Sequence, residues 1–88
     1  MAFWDKTAEQ DGAERGSMTA DAFFALGMTY ATGQSVPVDF ITAHKWFNIA
    51  ALKGSTEAVR LRREIAAEMT RQEIITAQRA AREWITTH

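Results

Sequence analysis

The sequence predicts an all-α fold of four helices that follow an irregular N-terminal arm. Apolar residues recur at helical spacing along most of the chain after residue 18. A residue suited to helix N-capping precedes each of these stretches, and a glycine follows two of them. The predicted caps are Thr19, Asp39, Ser55 and Thr70, and the glycines are Gly33 and Gly54. A chain of 88 residues allows one domain with a small core.

The first segment, residues 1–18, is polar apart from Phe3 and Trp4. Gly12 and Gly16 interrupt any long helix, so we interpret this segment as an irregular arm. The two aromatic residues are candidate partner-binding residues. They anchor either to the chain's own groove or in a pocket of another protein, and the sequence leaves both alternatives open.

Two antiparallel helices are expected next. Helix A, about 20–32, carries Asp21 in its first turn, where a negative charge meets the positive end of the helix dipole. Helix B, about 39–53, begins at Asp39 and ends before Gly54, which is typical of a C-terminal glycine. Together with the cap of helix A they form a unit that spans residues 19–54.

Two further helices are expected within residues 55–88: helix C over about 56–69 and helix D over about 71–86. Thr70 and Glu73 have the spacing of a capping box, which opens helix D. Apolar residues line one face of each helix: Ala58, Leu61, Ile65 and Met69 on helix C, and Ile74, Ala77, Ala81 and Trp84 on helix D.

A spaced pattern of small, aromatic and turn residues runs through helices A and B. Its positions are Leu26, Gly27, Tyr30, Gly33, Val36, Asp39, Ala43, Trp46, Ala50, Ala51 and Gly54. This pattern closely resembles the Sel-one-like repeat (SLR), a two-helix relative of the tetratricopeptide repeat. One position departs from it, because the family usually has a second glycine directly before the valine, where this chain has Ser35. The resemblance implies a protein-interaction scaffold without chemistry of its own.

The residue types in this pattern have mechanical reasons. Small residues let the two helix backbones approach closely, and larger ones fill the remaining space. We expect the close contacts at Gly27, Ala43, Ala50 and Ala51, and the filling side chains to be Leu26, Tyr30 and Trp46.

The pattern occurs once in full, which is unusual because about three stacked units are normally needed for stability. A second copy begins near Thr56 and then fails. Arg62 and Arg63 occupy the positions that correspond to Leu26 and Gly27, and charge at stacking positions is typical of a terminal repeat. We therefore expect helices C and D to form a capping hairpin in which helix D covers one open end of the repeat.

Helix A is apolar nearly all the way round and therefore needs cover on most faces. We expect helix B to cover only the stripe through Ala22, Leu26 and Tyr30, with Phe23 toward one flank and Phe24 and Met28 toward another. Either the arm or helix D packs over these three residues, or they form a docking surface, since aromatic and methionine side chains are enriched in interface cores.

The charged residues of helices C and D mix signs at helical spacing, as on a solvated face. The alternative is a basic strip through Arg62 and Arg63 that steers an acidic partner. The formal net charge of −1 does not favour nucleic acid, whose binding needs clustered basic residues along one face.

Composition also limits the compartment. The chain has no cysteine, which excludes disulfides, thiolate catalysis and cysteine-based zinc sites and fits a reducing compartment. The start of the chain lacks the basic and then apolar stretch of a secretory signal, and no apolar run approaches the ~20 residues of a membrane span. We therefore expect a cytoplasmic chain that meets a membrane only through a membrane-associated complex.

Catalysis is not expected. The only histidines are His44 and His88, and no carboxylate pair or glycine-rich phosphate loop stands in a position that makes chemical sense. His44 with Asn48 one turn later favours a surface or hydrogen-bonded structural histidine. We predict no catalytic, metal-binding or cofactor-binding residues.

These observations predict a non-catalytic protein–protein interaction module, namely a small accessory or scaffold subunit that docks on a larger protein assembly. Two alternatives stay open. One is a transient adaptor that binds a peptide segment on the helix A face. The other is a homo-oligomer in which two chains stack their open faces through an isologous contact.

Overall fold

The computed structural model describes residues 19–88, and this part of the chain is all-α, with four helices and no strand. The helices are α1 (Ala20–Thr32), α2 (Phe40–Leu52), α3 (Thr56–Ala66) and α4 (Arg71–Thr87). The predicted fold class is therefore confirmed. The predicted N-terminal arm, with Phe3 and Trp4, lies outside the described residues.

Every helix begins at a side-chain cap, and the four caps are the predicted ones. In each case a side-chain oxygen accepts a hydrogen bond from the backbone N–H three residues later, which satisfies a donor that the helix itself leaves free. The pairs are Thr19 with Ala22 at 3.2 Å, Asp39 with Thr42 at 3.1 Å, Ser55 with Ala58 at 3.1 Å and Thr70 with Glu73 at 3.1 Å.

The helix ends follow the prediction at α1 and differ at α3. α1 ends at Gly33, whose φ of +76° is left-handed and favours glycine. α3 ends at Ala66 and not at 69, because the N–H groups of Glu68 and Met69 donate to carbonyls three residues earlier. Such tight turns stop the α-helical ladder and lead the chain into the cap of α4.

α2 is the central helix, and the other three pack against it. The predicted pairing of helices C and D in a hairpin is wrong, because α4 packs mainly on α2 and not on α3. The expected cover of helices A and B by helix D is present, since Trp84 packs on Phe23 and Trp46. The reason is that α2 is buried on several sides at once and needs a neighbour on each. Its buried residues are Ala43, His44, Phe47, Ile49 and Ala50.

The contact between α1 and α2 runs through Phe23 and Gly27, both of which are buried. The ring of Phe47 lies against the Gly27 backbone, so closely that any β-carbon there would clash with it. The close contact predicted at Gly27 is therefore confirmed, whereas the predicted stripe through Ala22, Leu26 and Tyr30 is displaced by one position along α1. Leu26 and Trp46 are only partly buried and pack around this centre.

The loop between α1 and α2 is held by backbone geometry. The Asp39 N–H donates to the Tyr30 carbonyl oxygen at 3.0 Å, which closes the loop across its base. Ser35 within it has a φ of +67°, a left-handed conformation that residues other than glycine adopt at a cost. The loop thus holds the start of α2 in a defined position beside the end of α1.

Candidate binding cleft

An open cleft of about 490 Å³ lies where the end of α1 and the loop into α2 meet the α3–α4 junction. Its walls come from three segments, of which the α3–α4 segment is far from the other two in sequence. The lining residues are Tyr30, Pro37, Val38, Asp39, Phe40, Ile41, Glu68 and Glu73.

The apolar part of the cleft comes from the start of α2 and the residues before it. Val38 is 55% exposed, although it is a large apolar side chain. Phe40 and Ile41 are half-buried. Tyr30 of α1, which is also half-buried, lines the cleft with them. The result is an apolar surface that the described residues leave uncovered.

The polar part of the cleft consists of three carboxylates. Asp39 accepts hydrogen bonds from the N–H and the hydroxyl of Thr42, at 3.1 and 2.7 Å, and these bonds lower the pKa of Asp39 below its usual 3.8. Glu73 accepts from the Thr70 N–H at 2.8 Å and completes the capping box. Glu68 is exposed in the turn between α3 and α4.

Two of these carboxylates stabilise helix starts, since Asp39 caps α2 and Glu73 completes the capping box of α4. Among residues 19–88 none of the three forms an ion pair, whereas Arg60 pairs with Glu57 and with Glu64. The cleft therefore combines an apolar surface with carboxylates that carry no neutralising partner within the described chain.

The flank of helix A that the sequence predicts to be exposed at Phe23 is covered. Phe23 is fully buried, and its ring stacks on Trp46 at 5.7 Å and meets Trp84 edge-on at 5.2 Å between ring centroids. The prediction of a docking residue at Phe23 is therefore wrong. The covering element is α4, one of the two alternatives that the sequence leaves open.

Phe24 and Met28 lie on the other flank of α1 and are half-buried. The Phe24 ring packs on Phe47 with centroids 5.6 Å apart, and Met28 packs against the same core. Neither of these two residues lines the cleft.

The predicted basic strip is wrong at Arg62. Arg62 is half-buried, and its Nη1 donates to the Asn48 Oδ1 at 2.6 Å, which ties α3 to α2. Arg63 is exposed at the end of α3. The two guanidinium groups therefore lie in different environments.

His44 is buried with only 3% of its surface exposed, and its Nδ1 has no hydrogen-bond partner among the described residues. The prediction of a surface histidine is therefore wrong, and Nδ1 lacks the hydrogen bond that the alternative prediction expects. Burial disfavours the charged imidazolium, and the nearby positive charge of Arg62 adds to the effect, so both lower the pKa of His44 from 6.5.

No group of three or more His, Asp or Glu side chains within residues 19–88 is arranged to hold a metal ion. In the same part of the chain, no helix combines the length and the apolar character that a membrane crossing requires.

No protein-family model matches the chain, and no curated protein or solved structure does either. The resemblance to SLR therefore stays a prediction. The cleft is the site that sequence reasoning missed. Its one local signal is the run from Val36 to Ile41, which is apolar except for the cap Asp39, although it lies at a loop and the start of a helix.

Proposed function

We propose that this chain is a non-catalytic protein–protein interaction module, a small accessory or scaffold subunit that docks on a larger protein assembly through the cleft. The observation that carries the proposal is the apolar surface of the cleft, where Val38 is 55% exposed beside Phe40 and Ile41. Contiguous exposed apolar surface with a polar rim is typical of interaction sites.

The chemistry of the lining favours binding over catalysis. The lining residues are four apolar side chains, one tyrosine and three carboxylates. Asp39 and Glu73 are held by their capping bonds, and the pKa of Asp39 is lowered, so this carboxylate stays ionised at neutral pH. A volume of about 490 Å³ lies within the ~300–1,000 Å³ of typical ligand pockets, which is enough to take side chains of a partner.

The loop geometry supports the resemblance to SLR. Ser35 adopts a left-handed φ of +67° at the position where the family usually has glycine. Glycine is also required at two other positions of the pattern. Gly27 lies in close contact with Phe47, and Gly33 adopts a left-handed conformation at the end of α1. A scaffold role is what this resemblance implies, and the uncovered cleft agrees with it.

Affinity capture from the native host tests the proposal. The tagged chain is recovered in mild detergent, and the ratio of partners to bait is measured by mass spectrometry. We expect one assembly at a ratio near one to one with the wild type, and its loss with Val38→Asp. Leu52→Asp is the matched control, because Leu52 is 70% exposed at the far end of α2 and does not line the cleft.

Recovery of the bait alone, or equal recovery with both variants, would contradict docking through the cleft. Many partners at low ratio would favour the transient adaptor. A mass that rises with concentration in the purified chain would favour the homo-oligomer.

A further inference from the structure

We infer that the occupant of the cleft is a basic segment of another protein, in which an apolar anchor side chain is adjacent to lysine or arginine. This inference rests on the proposed function and specifies the partner. The apolar surface around Val38 takes the anchor, and the carboxylates at its rim take the cationic group.

The balance of charge in the cleft is negative. The three carboxylates of Asp39, Glu68 and Glu73 line it, and none of its lining residues is basic. The N-termini of α2 and α4 also lie here, and each contributes about half a positive charge. Because this offsets only about one of the three negative charges, the rim still favours a cation.

Glu68 is the carboxylate best placed to bind a cation. It is exposed, and no hydrogen bond or ion pair of its side chain is recorded among residues 19–88. Asp39 and Glu73 keep their capping hydrogen bonds and attract a cation through their negative charge alone. A carboxylate beside an apolar surface binds a guanidinium or ammonium group more strongly than an isolated surface carboxylate does, since the docked partner excludes water.

The chain's own N-terminal segment has its aromatic anchors, Phe3 and Trp4, in a stretch with an excess of acidic side chains. Residues 1–18 contain four acidic side chains, at positions 5, 9, 11 and 14, against two basic ones, at positions 6 and 15. The formal charge of this segment therefore has the same sign as that of the rim, which favours a basic segment of another protein as the occupant.

Among the large exposed apolar side chains of residues 19–88, Leu52 is the one that stands next to a basic residue, Lys53. That corner lies at the opposite end of α2 from the cleft, and in a second copy of the chain it offers the one lysine side chain of Lys53 to a rim of three carboxylates. A separate partner with a basic segment supplies more positive charge to the rim.

Selection of random 12-residue peptides displayed on phage against the full chain tests the inference. We expect the selected peptides to combine leucine, isoleucine or phenylalanine with an excess of lysine and arginine. A synthetic peptide from this pool should bind Glu68→Lys about tenfold more weakly than the wild type and weaken further at high salt. Glu83→Lys, the same charge reversal on the exposed surface of α4, should bind the peptide with an affinity within about twofold of that of the wild type.

The outcomes separate this inference from the proposed function. Peptides that lack a basic bias but lose binding to Val38→Asp would overturn the charge inference and leave the proposed docking site standing. An acidic pool, or no enriched peptide, would overturn the inference, and the capture experiment would then decide the proposed function independently. Self-association that Lys53→Glu abolishes would also overturn it and assign the cleft to a second copy.

Discussion

The ring of Phe47 in α2 lies directly on the backbone of Gly27 in α1. A β-carbon at Gly27 would come within 3.0 Å of the Phe47 Cγ and closer still to Cδ1 and Cε1. Both residues are buried, and Phe24 packs against the same ring. This contact sets how closely the two helices approach and therefore the shape of the hairpin that ends at the cleft.

Gly27→Ala should destabilise the chain by about 1–3 kcal/mol, because the added methyl overpacks the contact with Phe47. The sign of this change in unfolding free energy is informative, because a glycine-to-alanine substitution inside an uncrowded helix would stabilise the chain by about 1 kcal/mol. Urea unfolding followed by circular dichroism measures the change. In a Phe47→Leu background the same substitution should cost less, and an equal cost in both backgrounds would refute the contact.

Ser35→Gly should stabilise the chain by up to about 1 kcal/mol. Ser35 has a φ of +67°, and a left-handed backbone costs a non-glycine residue about 1–2 kcal/mol. Glycine removes this cost, but it also makes the unfolded chain more flexible, and this offsets part of the gain. The melting temperature should rise by a few degrees. Ser55→Gly is the control, because Ser55 has a φ of −80° and caps α3, so its loss should leave stability unchanged or slightly lower.

Acid should destabilise the chain through His44. Its pKa is lowered in the folded state, so the unfolded chain binds the proton more readily and stability falls as the pH falls below about 6.5. One proton gives a slope of at most about 1.4 kcal/mol per pH unit. Urea unfolding at intervals from pH 7.5 to 5 measures it. This window lies above the range in which Asp39, with its lowered pKa, begins to titrate.

Two variants isolate the contribution of His44 to this slope. His44→Leu should flatten the dependence of unfolding free energy on pH, whereas His88→Gln, at the exposed end of α4, should retain it. A slope that survives in His44→Leu would assign the acid sensitivity to another group.

Trp84→Ala should destabilise the chain by about 2–4 kcal/mol and expose apolar surface. Trp84 covers both Phe23 and Trp46, with ring centroids at 5.2 and 5.6 Å. Thermal unfolding measures the loss, and binding of the dye ANS should rise. Ile85→Ala is the control, because its side chain is 41% exposed and the change should cost under about 1 kcal/mol. Equal effects of the two variants would contradict the packing of α4 on the Phe23 flank.

The helix boundaries were predictable because the signals that set them are local. At Thr19, Ser55 and Thr70 the capping oxygen and the N–H that it accepts from lie three residues apart in one turn. The end of α3 was less predictable, since Met69 is apolar and at helical spacing although the chain has already turned there.

The packing was less accessible to sequence reasoning. α1 is apolar almost all the way round, so its composition does not identify which stripe faces α2. Phe23 and Gly27 take that role because Gly27 alone leaves space for the Phe47 ring. Likewise, the four-residue connection before α4 does not determine which helix α4 packs against.

The cleft could not be derived from spacing, because it forms only when three segments come together. Tyr30, Val38 and Glu68 belong to different elements, and their proximity depends on the central position of α2. The exposure of Val38 also follows from the tertiary fold and not from its residue type.

The most direct test of docking through the cleft is photo-crosslinking in the native host. Val38→p-benzoylphenylalanine places a crosslinker in the cleft, and Leu52→p-benzoylphenylalanine places the same group on an exposed surface outside it. The account predicts one discrete crosslinked partner from position 38 and none from position 52. Crosslinks from position 52 alone, or none from position 38 with the folded chain present, would contradict it.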